Sequence, residues 1–409
     1  MFRGGKPHNP GGKNYIKDSF ERHINLLKFL GVKIEYGDTF RRKWALSDYL
    51  LIISIFLVLS LSCASQIMAL IRIDGNISSK GVNVIFLMLN LSTAFKLLLM
   101  QFNSDSLAKL LAALRTEGVP ASSPILIKIK TITEFYLVIT FAILAMFAAS
   151  PWLSGKRALP IKFWFPFETK NFLHFLFSYF FAYADFALIT YTMEAVDTLL
   201  LLIAGMICQR LVAIQNALIT VGAEEPLLKK GWKRFKTKED NMGLNISRLT
   251  TLSRDETLLR ECIREHVDIT KLVRTFDIVL DDLFLIQVFS SIIISTISFY
   301  TVYKISDPFA KNQIVFPIIA VTMLQFFMYC WIGESISDHS DDLHRSLYLS
   351  KWYKCREKIM KSMVIMTTFT KNHFRLAGGH IFKIDFSTFT MVFQESFSLF
   401  MVLRALYAE

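Results

Sequence analysis

Residues 386–406 read FSTFTMVFQESFSLFMVLRAL, and this segment decides the fold class of the chain. About 20 mostly apolar residues are enough to cross a hydrocarbon core of about 30 Å as one helix. Four polar residues interrupt the segment near its middle: Gln394, Glu395, Ser396 and Ser398. Because a charged side chain at that depth needs water or protein beside it, the segment predicts a membrane helix with one polar face.

The composition is that of a membrane protein with several spans rather than of a soluble enzyme. Of the 409 residues, 53% are apolar and 37 are phenylalanine, and the mean hydropathy is +0.40. The formal net charge of +12 comes from Lys and Arg between the apolar segments, without a nucleic-acid-binding motif. We therefore expect contact with membrane lipid and no nucleic-acid partner.

Seven segments are predicted to span the membrane. They are residues 48–71, 82–102, 132–150, 173–204, 283–303, 313–335 and 386–406. Amphipathic helices are predicted to continue beyond spans 4 and 6 and to precede span 5. Their apolar faces must be buried on one another or on another subunit. The sequence therefore predicts an all-α membrane protein with a helical bundle outside the membrane that supports oligomerisation.

The distribution of positive charge predicts the orientation. Lys and Arg are concentrated in the loops on one side, which the positive-inside rule assigns to the cytoplasm. The N-terminus is then cytoplasmic and the C-terminus extracellular, the reverse of a G-protein-coupled receptor. Asn76 begins an Asn-Ile-Ser glycosylation motif in the first outside loop, which agrees with this orientation. Lys96 lies near the inner end of span 2, and we expect its side chain to extend to the membrane surface.

Six regions follow from this reading. They are 1–46, a cytoplasmic N-terminus with an amphipathic helix; 47–220, spans 1 to 4 forming a ligand-binding bundle with an outer-loop lid at 151–172; 221–256, a basic cytoplasmic loop; 257–345, spans 5 and 6 with cytoplasmic extensions; 346–380, a cytoplasmic anchor helix; and 381–409, pore-lining helix 7. The N-terminal helix is either solvated or lies on the inner membrane surface.

No catalytic or metal-binding pattern stands out in the sequence. His339 and His344 are five residues apart, which does not place them on one helical face. Motifs of metalloproteases, nucleophilic hydrolases and nucleotide-binding loops are missing from the chain. We expect neither catalysis nor a cofactor.

Aromatic and hydroxyl side chains in spans 2, 3, 4 and 6 and the adjoining loop are candidates for a ligand site. An apolar pocket with a few hydroxyls suits a small volatile hydrophobic ligand, whose affinity comes mainly from burial. The same spacing also suits ordinary helix packing, and the residues alone do not separate the two. The candidates are Phe86, Leu89, Phe147, Ser150, Trp152, Tyr183, Phe186, Tyr191, Met323 and Phe326.

Four acidic residues lie within predicted spans: Asp185, Glu194, Asp197 and Glu395. Glu194 and Asp197 are three residues apart on one helical face, where pairing with basic groups is the expected role. Glu395 has two alternative roles. It is either a carboxyl group held at a helix contact or a carboxylate that faces a pore and attracts permeant cations.

Three stretches resemble the insect odorant receptor family. They are ALPIKFWFPFE at 158–168, GESISDHSDDLHRSLYLSKWY at 333–353, and RLAGGHIFKIDFSTFTMVFQESFSLFMVLR at 375–404. The resemblance implies a tetrameric, odorant-gated, non-selective cation channel in the plasma membrane of olfactory sensory neurons. It also implies that odorant binds among spans 2, 3, 4 and 6, and that an odorant co-receptor subunit completes the channel.

The end of the chain, LFMVLRALY at 399–407, departs from the co-receptor of that family. The resemblance places Val402 at a hydrophobic gate, with Arg404 and Ala405 also at the pore. Ala405 stands where the co-receptor has a glutamine that narrows the pore. This difference implies an odorant-tuning subunit. The alternatives are a gustatory-receptor-like homotetrameric channel and a G-protein-coupled receptor.

Overall fold

The computed structural model of the chain describes residues 22–32, 46–72, 77–115, 124–153, 161, 163–167, 171–222, 251–305 and 315–407. The helices in these ranges are α1 (22–29), α2 (Leu46–Arg72), α3 (Ile77–Phe102), α4 (Ser104–Arg115), α5 (Pro124–Leu153), α6 (Phe172–Ile219), α7 (Thr251–Lys304), α8 (Phe316–Leu349), α9 (Glu357–Thr370) and α10 (Phe386–Leu406). Strands β1 (Ala377–Gly378) and β2 (Phe382–Lys383) form a short antiparallel hairpin before α10.

Seven of these helices, α2, α3, α5, α6, α7, α8 and α10, are long and apolar enough to cross a membrane. This confirms the predicted number of spans. Helix α6 has 48 residues and α7 has 54, so they are about 72 and 81 Å long at a rise of 1.5 Å per residue. Both are more than twice as long as a hydrocarbon core of about 30 Å. Each therefore continues well outside the membrane.

Helix α6 lies at the centre of the bundle, in contact with α3, α5, α7 and α8. In its most apolar 18-residue window, 83% of the residues are buried, against 22% in α2 and in α5. A helix that is apolar all round and covered by protein needs no polar face. Helices α2 and α5 instead leave most of their apolar surface for lipid.

The extensions of α6, α7 and α8 pack against one another and against α9, and we call this assembly the extramembrane bundle. Its core is apolar and takes residues from all four helices: Leu211, Ile214, Leu218, Cys262, Ile269, Phe276, Ile336, Leu343, Leu347, Ile359 and Met363. The ion pair between Arg210 Nε and Glu265 Oε1, at 2.8 Å, ties α6 to α7. The extensions therefore bury their apolar faces within one subunit.

Helix α1 packs one of its faces on protein and leaves the other face exposed. Ile24, Leu27 and Leu30 are 2%, 0% and 3% exposed and belong to the main hydrophobic core. Phe29, on the other face, is 70% exposed, which leaves that side of the helix for solvent or the membrane surface. The chain turns at Gly31, whose φ of +78° a residue with a side chain rarely adopts.

Part of the outer loop predicted as a lid is described, and it lies against α2. The backbone N–H of Trp164 donates to Ser65 O at 3.3 Å, and Ser65 Oγ donates to Trp164 O at 2.6 Å. The Arg72 guanidinium lies 4.7 Å above the Trp164 ring. Ile161 and Phe163 are buried among α3, α5 and α6. Asn76 and most of the basic loop 221–256 lie outside the described residues.

Candidate functional site

Three phenylalanines from three spans meet in an aromatic cluster: Phe86 of α3, Phe147 of α5 and Phe186 of α6. Their ring centroids are 4.5 to 6.2 Å apart, which is the range of favourable aromatic pairs. Each is at most 7% exposed. Tyr183 and Tyr191 pack against the same core and are partly buried.

A small cavity of about 60 Å³ lies beside this cluster, between α3, α5, α6 and α8. Its wall is mainly apolar, with a few hydroxyl and amide groups. The lining residues are Leu89, Tyr136, Thr140, Ile143, Phe186, Ile189, Thr190, Met193, Pro317, Ile318, Val321, Thr322 and Gln325. An apolar wall with few polar groups is the usual form of a site for a small organic molecule.

The structure brings only part of the predicted ligand set to this cavity. Leu89 and Phe186 line it, and Phe86 and Phe147 lie in the adjacent cluster. Ser150 and Trp152 are in the last turns of α5, but their side chains lie outside the described residues.

The placement of Phe326 and Met323 beside the other candidates is a correction. Phe326 is fully buried elsewhere, with its ring 5.7 Å from that of Phe284 and 6.0 Å from that of Phe389. Met323 is partly buried and does not line the cavity. The cavity face of α8 is Ile318, Val321, Thr322 and Gln325, spaced i, i+3, i+4 and i+7. Phe326 is one residue further and therefore points about 100° away.

Sequence reasoning missed the polar part of the cavity, which consists of Tyr136, Thr140, Thr190, Thr322 and Gln325. All five are uncharged residues common in membrane helices, so their type alone does not mark a site. Their signal is the helical spacing of each pair: Tyr136 with Thr140 on α5 and Thr322 with Gln325 on α8.

Below the cavity, a buried charge network joins four helices around Asp197 of α6. Lys96 Nζ of α3 lies 3.2 Å from Asp197 Oδ1, and Tyr329 OH of α8 donates to the same oxygen at 2.8 Å. Tyr136 OH of α5 donates to Oδ2 at 3.4 Å, and Gln325 Nε2 also donates to Oδ2. Lys96 is 0% exposed, so the expectation that it extends to the membrane surface is wrong. Its charge is instead compensated inside the bundle.

The network continues from the cavity towards α7 and α10. Gln325 Oε1 accepts a hydrogen bond from Gln287 Nε2 of α7 at 3.2 Å. Two to three turns further along α7, Thr296 Oγ1 donates to Ser396 O of α10 at 3.3 Å. The cavity and α10 thus both contact α7 through buried polar groups.

A second polar contact lies near the aromatic cluster. Asn90 Nδ2 of α3 donates to Asp185 Oδ2 of α6 at 3.1 Å and to Ser62 Oγ of α2 at 3.3 Å. Asp185 is 0% exposed. Helices α2, α3 and α6 are therefore joined by side-chain hydrogen bonds as well as by packing.

Only one face of helix α10 is covered by the rest of the protein. Thr388, Val392 and Ser396 are its buried residues and lie one turn apart, and Phe299 of α7 contacts the rings of Phe393, Phe397 and Phe400. Only 17% of its most apolar window is buried. Ser396 therefore faces α7, while Gln394, Glu395 and Ser398 are exposed.

The uncovered face of α10 carries small and polar residues at heptad-like spacing: Ser387, Gln394, Ser398 and Ala405 are all exposed. Glu395 and Val402 are exposed beside them, and Val402 is 52% exposed. Arg404 lies on another side of the helix, with its guanidinium 5.1 Å from the Tyr303 ring centroid of α7. The structure thus separates Arg404 from Glu395, Val402 and Ala405.

The first turn of α10 is fixed to the rest of the chain. Asp385 is its N-cap and accepts from Thr388 N at 2.9 Å and from Ser387 Oγ at 2.6 Å. Partial burial raises the pKa of Asp385, but these hydrogen bonds and the nearby Lys383 outweigh it, so the pKa lies below its ordinary value. Phe386 N donates to Glu334 Oε2 of α8 at 3.3 Å. The cap stabilises the helix start as a charged acceptor.

The β-hairpin before α10 is fixed to α7 by two acidic residues. Ala377 N donates to Asp277 Oδ1 and His380 N to Asp281 Oδ1, both at 3.1 Å. Gly379 N donates to the backbone oxygen of Asp281 at 3.1 Å. Gly379 has a φ of +60°, which explains a glycine at the turn. The entry to α10 is therefore held by α7 and α8 together.

These features define a helical membrane protein with a buried cavity and a seventh span that is largely uncovered. A family model described as 7tm Odorant receptor matches residues 76–397, which is well over half of the chain. The chain belongs to the odorant receptor family.

Individual relatives are distant. Odorant receptor 46a, isoform A, of Drosophila melanogaster is 30% identical over 109 residues, which cover 26% of this chain and 29% of that protein. Odorant receptor Or1 of Anopheles gambiae is 22% identical over 293 residues, which cover 67% of each chain. The matched segments thus span between less than a third and two thirds of these relatives.

The architecture is shared with a solved structure. The insect olfactory receptor OR5 from Machilis hrabei, in complex with eugenol, superposes with a TM-score of 0.76 at 14% identity, covering 96% of this chain and 99% of that chain. At this identity the likeness concerns the fold. It confirms the all-α, seven-span architecture expected from the sequence.

Proposed function

We propose that this chain is an odorant-tuning subunit of a ligand-gated, non-selective cation channel that it forms with an odorant co-receptor. It binds a small, volatile, hydrophobic odorant in the cavity between α3, α5, α6 and α8. The protein lies in the plasma membrane of olfactory sensory neurons, with a cytoplasmic N-terminus and an extracellular C-terminus. Asn76 would then face outside as a glycosylation site.

The observation that carries this proposal is the uncovered face of α10. A membrane helix that carries Glu395, Ser398 and Val402 on an open side needs a partner or water beside it. Four such helices around one axis would surround a polar path with the Val402 side chains near its outer end. A ring of apolar side chains closes such a path by excluding water. One subunit supplies only one wall of this pore, which favours a tetramer.

The size of the cavity supports a coupling between binding and gating. At about 60 Å³ it is smaller than the cavity of about 150 Å³ that holds benzene in an engineered protein core. A larger odorant fits only if α5 or α8 moves away from α6. A ligand that binds the widened state better shifts the equilibrium towards it, and the Gln325–Gln287 contact connects that movement to α7.

The proposal is tested by expressing the chain with and without the co-receptor and applying an odorant panel in a voltage clamp. We expect odorant-evoked cation current only when this chain and the co-receptor are expressed together, and in response to compounds that the co-receptor alone does not detect. A full response from this chain alone would contradict its assignment as a tuning subunit and favour a homotetrameric channel.

Substituting Val321 tests the cavity. Val321→Phe adds a ring to the lining and takes up space in the cavity that the odorant would occupy. We expect the half-maximal odorant concentration to rise roughly tenfold or more, with unchanged surface expression. Met323→Phe is the matched control on the same helix, because Met323 does not line the cavity. Equal effects of the two substitutions would place the ligand elsewhere.

Substituting Glu395 tests the pore. Glu395→Gln removes one negative charge from the uncovered face of α10, and we expect the relative permeability to divalent cations to fall by a factor on the order of two, because fewer cations are concentrated at the wall. The measurement is the reversal potential in calcium-rich and sodium-rich solutions. Gln394→Ala changes a neighbouring exposed residue without changing charge and serves as the control. An unchanged reversal potential would leave Glu395 with a packing role.

A further inference from the structure

In the cavity proposed as the odorant site, more groups are free to accept a hydrogen bond than to donate one. Thr140 Oγ1 lies 3.0 Å from Tyr136 O and 2.9 Å from Leu137 O, and Thr190 Oγ1 lies 2.8 Å from Phe186 O. Each hydroxyl has one hydrogen and two lone pairs. Because the hydrogen is used on the helix backbone, both threonines remain able to accept but not to donate.

The other polar groups of the lining are also engaged as donors. Tyr136 OH donates to Asp197 Oδ2 at 3.4 Å. Gln325 Nε2 donates to Asp197 as well, while Gln325 Oε1 accepts from Gln287 Nε2 at 3.2 Å. The amide of Gln325 is therefore fixed with its nitrogen towards Asp197, and a ligand that accepted from it would have to displace that contact.

Thr322 is the exception. It lines the cavity and is 4% exposed, and its hydroxyl makes no hydrogen bond within the described parts of the chain. Thr140 and Thr190 line the same cavity, so its wall offers one free donor and two acceptors to a polar ligand.

We propose that this cavity selects ligands with a hydroxyl group over ligands of the same size that can only accept a hydrogen bond. The inference rests on the proposed function and names its ligand class: small neutral alcohols. An alcohol accepts from Thr322 and donates to Thr140 or Thr190. A ketone or ether accepts from Thr322 but leaves both threonine acceptors unmatched, and an alkane matches none of the three.

The effect is large enough to measure. One hydrogen bond gained in a buried site, together with the unmet group it removes, changes affinity by about tenfold. The cavity volume of about 60 Å³ favours short chains. We therefore compare 1-pentanol with 2-pentanone, methyl butyl ether and pentane on the chain expressed with its co-receptor. The expected half-maximal concentration of 1-pentanol is about tenfold lower than that of the ketone or the ether.

Variants of Thr322 separate selection by hydrogen bonding from selection by shape. Thr322→Val keeps the volume and removes the hydroxyl, so the advantage of 1-pentanol over pentane should fall severalfold, and Thr322→Ser should restore it. Thr131→Val on the exposed side of α5 is the control. Equal potency of alcohol, ketone and ether, or an equal shift of all four compounds by Thr322→Val, would overturn the proposed selectivity. If none of the compounds evoked current and Val321→Phe changed no other odorant response, the proposed odorant function itself would fail.

Discussion

Gly333→Ala is expected to abolish odorant-evoked current and to reduce the amount of folded protein at the cell surface. A Cβ atom at Gly333 would lie 1.8 Å from the backbone oxygen of Ile384 and 2.7 Å from its carbonyl carbon. Real side chains do not approach a backbone so closely, and α8 would have to separate from the segment that leads into α10. Overpacking costs of about 1–3 kcal/mol apply where side chains relax, and here backbone must move. The measurement is surface labelling followed by the melting temperature of the purified channel.

Gly205→Ala is the matched control for this substitution. Gly205 is also buried within a long helix, so both alanines gain the same helix propensity of roughly 1 kcal/mol. Its added Cβ would meet the end of the Ile129 side chain, at 1.7 Å from Cδ1. That methyl group moves by a rotation about one bond. We expect Gly205→Ala to retain more folded protein than Gly333→Ala. If Gly333→Ala retained more, the backbone contact between α8 and Ile384 would be able to relax at little cost.

Asp197→Asn is expected to destabilise the protein by about 3–5 kcal/mol, the usual cost of leaving a buried charge without its partner. Lys96 is 0% exposed and has its nitrogen 3.2 Å from Asp197. The expected readouts are loss of surface expression and a large fall in the melting temperature of the solubilised protein.

Removing the lysine as well should restore much of that loss. In the double variant Lys96→Met with Asp197→Asn neither of the two positions carries a charge, and the asparagine oxygen still accepts from Tyr329. Glu357→Gln is the control, because the Glu357–Lys361 pair of 2.7 Å is on the surface and surface pairs contribute little. If the double variant were as unstable as Asp197→Asn alone, the role of Asp197 would lie in its hydrogen bonds to the tyrosines rather than in compensating Lys96.

The spans and the extramembrane bundle follow from local sequence, because apolar length and helical periodicity are properties of short segments. Helix α4, which we did not predict, also has apolar residues at helical spacing. They are Leu107, Leu110, Leu111 and Leu114, and each is at most 1% exposed. The Lys96–Asp197 pair is different. It joins residues 101 positions apart, and nothing near either residue indicates its partner.

The candidate site depends on which way each helix faces, and this is where sequence reasoning lost accuracy. Phe326 and Gln325 are adjacent in the chain, yet one packs towards α7 and α10 and the other lines the cavity. On α10, Ser396 and Glu395 differ in the same manner. A helix that is apolar on most sides gives no strong preference for one direction. Its rotation is set by the neighbours it packs against.

The two ends of α10 are held by different contacts, so the helix can tilt about its base. Its base is held to both α7 and α8 by the Asp385 cap, the Glu334 contact and the hairpin on α7. Its far end is joined to α7 by the Lys304–Tyr407 hydrogen bond, the Arg404–Tyr303 contact and the rings of Phe400 and Tyr407. Val402 is about 24 Å from that base, so a tilt of about 5° displaces it by about 2 Å. A change at the base too small to break a hydrogen bond therefore becomes, at Val402, a movement comparable to the width of a water molecule.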